Sequence, residues 1–317
     1  MKLVTIDVGA HGIPGAVLCS GEILHLPRAA LPGTVEAWLP GSIRAILEAG
    51  EAGLDVVRGL VARVEDAPRT QDQLRLAGSL TSSATRLLAP ITEPRLIIGG
   101  GLNYRSHLAE MAGTPEPSRP TGFVKIASSV TGPNSPIIAP PHAAEMVDWE
   151  GELACVIGRT CHNVAEADAM ACIAGYTVVN DISARDWVEG VFQASEVWDA
   201  RMTWELNVMG KNFAGFTAMG PYLVTADEVG DPAELTLQTR LNGEVVQEAH
   251  TSDVVFGFAA SIAFYSRFYT LQPGDVLTTG TPAGVGVGRK PPVFMHPGDM
   301  IEVEVSRIGV LRNTIVA

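Results

Sequence analysis

An α+β fold in which strands predominate is predicted by three features of the chain. From residue 96 onward, short apolar runs alternate with Gly/Pro turns. The composition, Gly 33 and Pro 21 in 317 residues, suits a turn-rich, strand-rich enzyme better than a helical bundle. The first ninety residues differ, combining a strand pattern with two stretches of helical composition. We therefore expect a small N-terminal α+β domain over 1–90 and a mainly β domain over 95–317.

Taken in order, residues 1–26 read as a hairpin: Lys2–Val8, a glycine-rich turn over Gly9–Gly15, Ala16–Cys19, then Glu22–Leu26. Residues 41–66 and 70–88 have helical composition, with Ile43, Ile46, Leu47, Val57, Leu60, Val61 and Val64 at near-helical spacing. Ala89-Pro-Ile-Thr-Glu-Pro94 reads as a linker. Strands are expected at Leu96–Ile98, Ile137–Ile138, Leu153–Ile157, Tyr176–Val179, Leu235–Leu241, Val276–Thr279 and Met300–Val305. The last two each follow a Pro-Gly-Asp turn, and Asn242-Gly243 is a hairpin signal. Helices are expected at Tyr104–Met111, from Ala165 to Ala174, and at Ser252–Phe268. The most apolar of these stretches, Val254–Tyr265, reads as a buried helix or a subunit contact.

Net charge is −13, of which the first ninety residues contribute −1 (8 basic, 9 acidic). The chain has no Lys/Arg cluster, so a nucleic-acid partner is not expected. No apolar run reaches 18 residues, so no membrane helix is expected either. Cys19, Cys155, Cys161 and Cys172 lack zinc-site spacing and read as buried reduced thiols, which fits a cytoplasmic protein.

Glu150 and Glu152 stand two apart in Val-Asp-Trp-Glu-Gly-Glu-Leu-Ala-Cys-Val-Ile, a strand-like segment, and so point to one face. A Glu-x-Glu pair is commonly a solvated sheet face. Here Trp149, Leu153, Val156 and Ile157 place it beside a core. Adjacent buried carboxylates repel, and a divalent cation makes the arrangement favourable. Asp181, at the end of Gly175-Tyr-Thr-Val-Val-Asn-Asp, supplies a third acid. Such an all-oxygen set suits Mg²⁺ or Mn²⁺, with Ca²⁺ also compatible. His107 and Glu110, three apart on an expected helix, form a general-base pair or a surface ion pair. The proline-rich stretch Ala112–Pro120 after them reads as a loop that would let this helix act as a lid.

Together these motifs resemble the fumarylacetoacetate hydrolase family over residues 95–317. The segments that carry the resemblance are Gly101-Leu-Asn-Tyr-Arg-Ser-His-Leu-Ala-Glu, Phe123-Val-Lys, Asp148-Trp-Glu-Gly-Glu-Leu, Asn180-Asp-Ile-Ser-Ala-Arg-Asp, Gly210-Lys-Asn-Phe, Met219-Gly-Pro and Thr279-Gly-Thr-Pro-Ala-Gly-Val-Gly. The fold implied is the family's mixed β-sandwich roll. The resemblance also implies Glu150, Glu152 and Asp181 as metal ligands, His107 and Glu110 as the catalytic dyad, and Lys211 as a charge stabiliser. Thr281, Lys125 and Arg185 would bind substrate, the last two as basic groups near the metal, with Asp186 an alternative partner for Arg185. Residues 187–203, with Trp187, Trp198, Arg201 and Met202, match no family segment and are expected to form an aromatic-rich wall of the pocket that favours a bulkier or less charged substrate; Trp204–Gly210, before Lys211, is less polar than in many relatives, so substrate contacts are expected to differ there.

The reaction implied is hydrolysis of a carbon–carbon bond in a 1,3-dicarbonyl compound, such as an acylpyruvate or β-diketone, through a metal-stabilised enolate. Decarboxylation or isomerisation of an oxo-acid would use the same apparatus. A small oxo-acid or diketone substrate and a homodimer are also implied.

Overall fold

In the computed structural model, the described residues are 1–9, 12–30, 34–111, 114–140, 145–188 and 194–317. They form a strand-rich α+β structure built on two main sheets, with a two-stranded ribbon of Val147–Asp148 and Ser183–Ala184 beside them. The larger is a mixed twelve-stranded sheet. Its central strands Thr217–Thr225, Ile173–Asp181 and Gly151–Ile157 run antiparallel, and Val276–Thr278, Ile97–Gly101 and Thr121–Lys125 continue one side. The smaller has five strands in the order Glu244–His250, Thr236–Leu241, Met300–Val305, Gly309–Val316, Pro136–Ile138.

Alternation along the central strands divides the interior into two cores. Leu153, Cys155 and Ile157, with Tyr176 and Val178, face the smaller sheet through Leu237, Val303, Val305 and Leu311. Ala154 and Val156, with Val179 and Met219, face the opposite way, toward Ile46, Leu54, Val57 and Leu60 of the N-terminal helices Ile43–Glu48 and Glu51–Glu65. Strand Lys2–Ile6 pairs directly with Thr217–Thr225, in register Leu3 with Leu223. The first ninety residues thus share both a sheet and a core with the rest.

Turn chemistry matches the sequence closely. Asn242 (φ 52°) and Gly243 (φ 85°) form the two-residue hairpin between Thr236–Leu241 and Glu244–His250. Gly274 and Gly298 take positive φ in the two Pro-Gly-Asp turns, and the following aspartates accept turn amides, Gln272 N at 2.7 Å and His296 N at 2.7 Å.

Several elements differ from expectation. The stretch 70–88 is not one helix: Pro68–Leu76 stops before Gly78 (φ 66°), and strands Leu80–Thr81 and Leu87–Leu88 follow. The helix expected from Ser252 begins at Phe258, because the amides of Val255 and Phe256 are bonded to Asn103 O and Oδ1. Its Phe258 and Ile262 are buried in the inter-sheet core, so it is a core helix. A helix over Val197–Gly210 was not foreseen, since apolar residues surround it without a stripe. It leaves Trp198, Met202 and Trp204 exposed. Cys19 is exposed, contrary to expectation, whereas the other three thiols are buried and unbridged. The expected Gly9–Gly15 turn, the 112–120 loop and the 187–203 wall each fall partly outside the described residues, at 10–11, 112–113 and 189–193. No helix among the described residues is long and apolar enough to cross a membrane.

Candidate active site

The register of two neighbouring strands creates the centre. Gly151 pairs with Asn180 and Glu152 with Val179, which sets Glu150 opposite Asp181; the Asp181 amide donates to Glu150 O at 2.9 Å. The carboxylates of Glu150, Glu152 and Asp181 come within 4.8 Å of one another, all buried. The same-face reading of the Glu-x-Glu pair therefore holds in space.

Cations brace two of the three acids. Glu150 Oε1 accepts from Arg185 Nη2 at 2.6 Å and its Oε2 from Lys211 Nζ at 2.7 Å. Asp181 Oδ2 accepts from Lys211 Nζ at 2.8 Å, and Oδ1 from Lys125 Nζ. Burial pushes the Glu150 carboxyl up, but Lys211 and Arg185 outweigh it and hold the group down at about 2. Glu152 is different. Neither of its oxygens makes a hydrogen bond of ordinary geometry among the described residues, and contact with the Thr278 side chain offsets little of its burial. Burial, then the charges of Asp181 and Glu150, push its carboxyl well up. A buried, poorly compensated carboxyl beside two cation-braced acids fits a hard divalent cation, which would complete an all-oxygen donor set.

The lysines are saturated by protein acceptors. Lys211, capping the C-terminus of Val197–Gly210, also donates to Ser183 Oγ at 2.8 Å, so its three N–H donors are all used. Burial lowers its pKa, but Asp181 and Glu150 more than offset this, leaving it raised and Lys211 charged. It therefore acts toward a ligand as a fixed charge. Lys125 is fully buried and donates to Asp181, to Lys211 O at 2.5 Å and to Phe216 O at 3.3 Å. In this geometry it braces Asp181 and has no donor left for substrate. Arg185 pairs with Asp148 (Nε–Oδ2 2.8 Å) and Glu150, not with Asp186, which instead accepts from Met146 N at 3.0 Å.

Helix Arg105–Glu110 brings the dyad to this centre. His107 Nδ1 is 3.1 Å from Glu110 Oε2, and Glu110 Oε1 accepts from Gly284 N at 3.0 Å. A carboxylate at Nδ1 fixes the proton there, leaving the Nε2 lone pair as the base. Through Gly284 the dyad is tied to the turn whose Gly286 N donates to Asp148 Oδ1 at 2.6 Å, two residues before Glu150.

The turn from Thr281 to Gly288 joins these parts. Thr281 Oγ1 donates to Gly151 O at 3.1 Å; Gly286 N donates to Asp148 Oδ1 at 2.6 Å; Trp149 Nε1 donates to Gly284 O at 3.1 Å. Sequence reasoning missed Asp148, Ser183 and Gln247. Asp148 sat within the quoted Asp-Trp-Glu-Gly-Glu motif and gave a usable signal. Gln247 gave none. It lies on an edge strand between buried Val246 and exposed Glu248, with no clean alternation, and becomes inward-facing beside a register shift at Thr239/Arg240.

Known proteins resemble this chain in sequence and in fold. The profile of the fumarylacetoacetate (FAA) hydrolase C-terminal domain matches residues 96–316. A mitochondrial oxaloacetate tautomerase of Bos taurus is 42% identical over 282 residues, 89% of this chain and 82% of that protein. The structure of maleylpyruvate hydrolase from Sphingobium sp. SYK-6, in complex with manganese(II) and pyruvate, superposes with TM-score 0.72 at 28% identity, covering 100% of this chain and 99% of that one. That of 5-carboxymethyl-2-hydroxymuconate delta-isomerase from Mycobacterium smegmatis gives TM-score 0.59 at 36% identity, covering 75% and 81%. With its motifs, fold and acidic centre all in agreement, the chain belongs to the fumarylacetoacetate hydrolase family.

Proposed function

We propose that this chain is a divalent-cation-dependent enzyme that forms and reprotonates the enolate of a small 2-oxo acid, with keto–enol tautomerisation of an oxaloacetate-class substrate as its main reaction. The observation that carries this reading is the 42% identity to an oxaloacetate tautomerase across 89% of the chain. It reverses the order expected from the sequence, where carbon–carbon hydrolysis came first and isomerisation second.

The residues suit proton transfer. Mg²⁺ or Mn²⁺ held by Glu150, Glu152 and Asp181 would supply Lewis acidity favouring an enolate over its keto form. His107 Nε2 removes a proton from the carbon beside the keto group and returns it to the enolate oxygen, or the reverse. Glu110 stabilises the imidazolium formed between these transfers. The fixed charges of Lys211 and Arg185 keep Glu150 ionised beside it. No water need enter and no bond between carbons breaks.

Hydrolysis is the second reading. It is favoured by the likeness to maleylpyruvate hydrolase, which extends over the whole chain, N-terminal residues included. There, His107 Nε2 would take its proton from water. A homodimer, implied by the family resemblance, belongs to either reading; a native mass near twice 33.5 kDa tests it.

The deciding experiment follows oxaloacetate enol decay and C3 deuterium exchange with Mg²⁺ or Mn²⁺, with product masses for a panel of acylpyruvates. Faster interconversion at unchanged mass, lost in His107→Ala, is the expected result. Two carbon fragments would move the assignment to hydrolase, and CO₂ release to decarboxylase.

A further inference from the structure

Gln247 is almost fully buried, at 2% exposure, and belongs to the smaller sheet, yet its amide reaches the centre of the larger one. Its Oε1 accepts from Gly151 N at 3.0 Å and from Thr239 Oγ1 at 2.8 Å. Its Nε2 donates to Thr281 Oγ1 at 2.8 Å and to Pro282 O at 2.9 Å. The amide orientation is forced. Gly151 N can only donate and Pro282 O can only accept, so a flipped amide would oppose donor to donor and acceptor to acceptor.

The consequences propagate into the site. Gly151 is the single residue between Glu150 and Glu152, and it is held at both polar groups: its N–H by Gln247 and its C=O by Thr281. Thr281 in turn has its hydroxyl proton committed to Gly151 O while its oxygen accepts from Gln247. Toward the site, that hydroxyl therefore offers a lone pair and no proton. There is also no slack at Gly151, where an added Cβ would stand 2.3 Å from Thr239 Oγ1.

We propose that Gln247 is a positioning residue for this active site. It fixes the Gly151 peptide and the Thr281 hydroxyl as one unit, so that the acid-bearing strand and the substrate-contact turn hold a common geometry. Gln247 touches neither the acids nor the expected substrate and acts through Gly151 and Thr281. The substrate arm of the test rests on the tautomerase reading; the cation arm does not.

The test titrates Mn²⁺ by its electron paramagnetic resonance signal into wild type, Gln247→Met, Thr281→Val and the double variant, and measures kcat and KM with oxaloacetate. Gln247→Met preserves length and volume and removes all four hydrogen bonds. We expect Mn²⁺ affinity to fall ~10–100-fold, the range for partners that orient a metal site from outside it. KM should rise in both single variants, and the double variant should be no worse than the worse single, because both break one unit. Wild-type Mn²⁺ affinity in Gln247→Met would overturn the proposal, whatever the activity; so would additive effects on KM. Absence of turnover in every protein, with the Mn²⁺ effect present, would count against the tautomerase reading alone. Should Gln247→Met not fold, Thr239→Val removes one anchor of the same amide: a several-fold loss of Mn²⁺ affinity supports the proposal, and no change overturns it.

Discussion

Lys211 Nζ bonds Glu150 Oε2 at 2.7 Å inside a cluster where Asp181 is also doubly braced but Glu152, among the described residues, pairs with no cation. The centre is thus neutralised in advance at two ligands and left in deficit at the third. A divalent cation entering here meets two cation-braced carboxylates and would supply the compensating charge that Glu152 lacks.

Removing Lys211 should expose the cost of this design. Lys211→Met leaves Glu150 and Asp181 buried with less compensation, and breaking a buried pair from one side costs about 3–5 kcal/mol. In EDTA, the variant should show a large loss in denaturant midpoint. Added Mg²⁺ should restore more stability to it than to wild type, because the cation meets a more negative site. Equal cation effects in the two proteins would argue that Lys211 is not part of the same electrostatic unit.

Glu152 predicts a pH dependence with a definite sign. Its folded pKa lies above its unfolded value, so above about pH 4.5 the unfolded chain releases a proton that the fold retains. Stability without a cation should therefore fall as pH rises from there toward the raised folded pKa, by at most about 1.4 kcal/mol per pH unit from this group. Glu152→Gln cannot ionise. In EDTA its stability relative to wild type should climb between pH 5 and pH 8, measured by urea unfolding. A constant difference between the two proteins would rule out the shift.

These centres were legible in the sequence to unequal degrees. Glu150 and Glu152 could be paired because strand alternation is rigid, and Asp181 because it ends an apolar strand of clear pattern. The turns at Asn242-Gly243 and before Asp275 and Asp299 were equally plain, since each needs a residue able to take positive φ. What could not be read was reach across the fold. Lys125 and Lys211 are 86 residues apart in sequence, yet the Lys125 ammonium donates to the Lys211 carbonyl. Gln247 faces inward through an irregularity in strand pairing that no local pattern announces. The helix Val197–Gly210 carries no apolar stripe, so periodicity had nothing to detect.

The dyad's mounting gives a third test. Glu110 holds His107 with one oxygen and the turn at Gly284 with the other. A Cβ on Gly288 would lie 2.5 Å from Glu110 Cδ, so Gly288→Ala must push this carboxylate aside. We expect kcat to fall by roughly 10²-fold, the low end for loss of general acid–base catalysis. Mn²⁺ affinity should stay near wild type, because no acid ligand moves. Reduced Mn²⁺ affinity together with unchanged kcat would place the defect in the cation site instead.

The last prediction concerns the first ninety residues. Strand Lys2–Ile6 covers the edge of Thr217–Thr225, and the helices behind it bury Ala154, Val156, Val179 and Met219 on the back of the acid-bearing strands. Deleting residues 1–92 would open that sheet edge and uncover a contiguous apolar face, both of which favour association between chains. A truncated protein over 93–317 should therefore be insoluble or aggregated. A milder probe is Leu3→Ala, at a side chain with no exposure that faces this shared core. Such a truncation costs about 2–5 kcal/mol. If the two parts fold as one unit, Leu3→Ala shifts a single unfolding transition, and Mn²⁺ raises that same transition. Two separate transitions, with only the Mn²⁺-responsive one unmoved by Leu3→Ala, would establish the N-terminal segment as an independent domain.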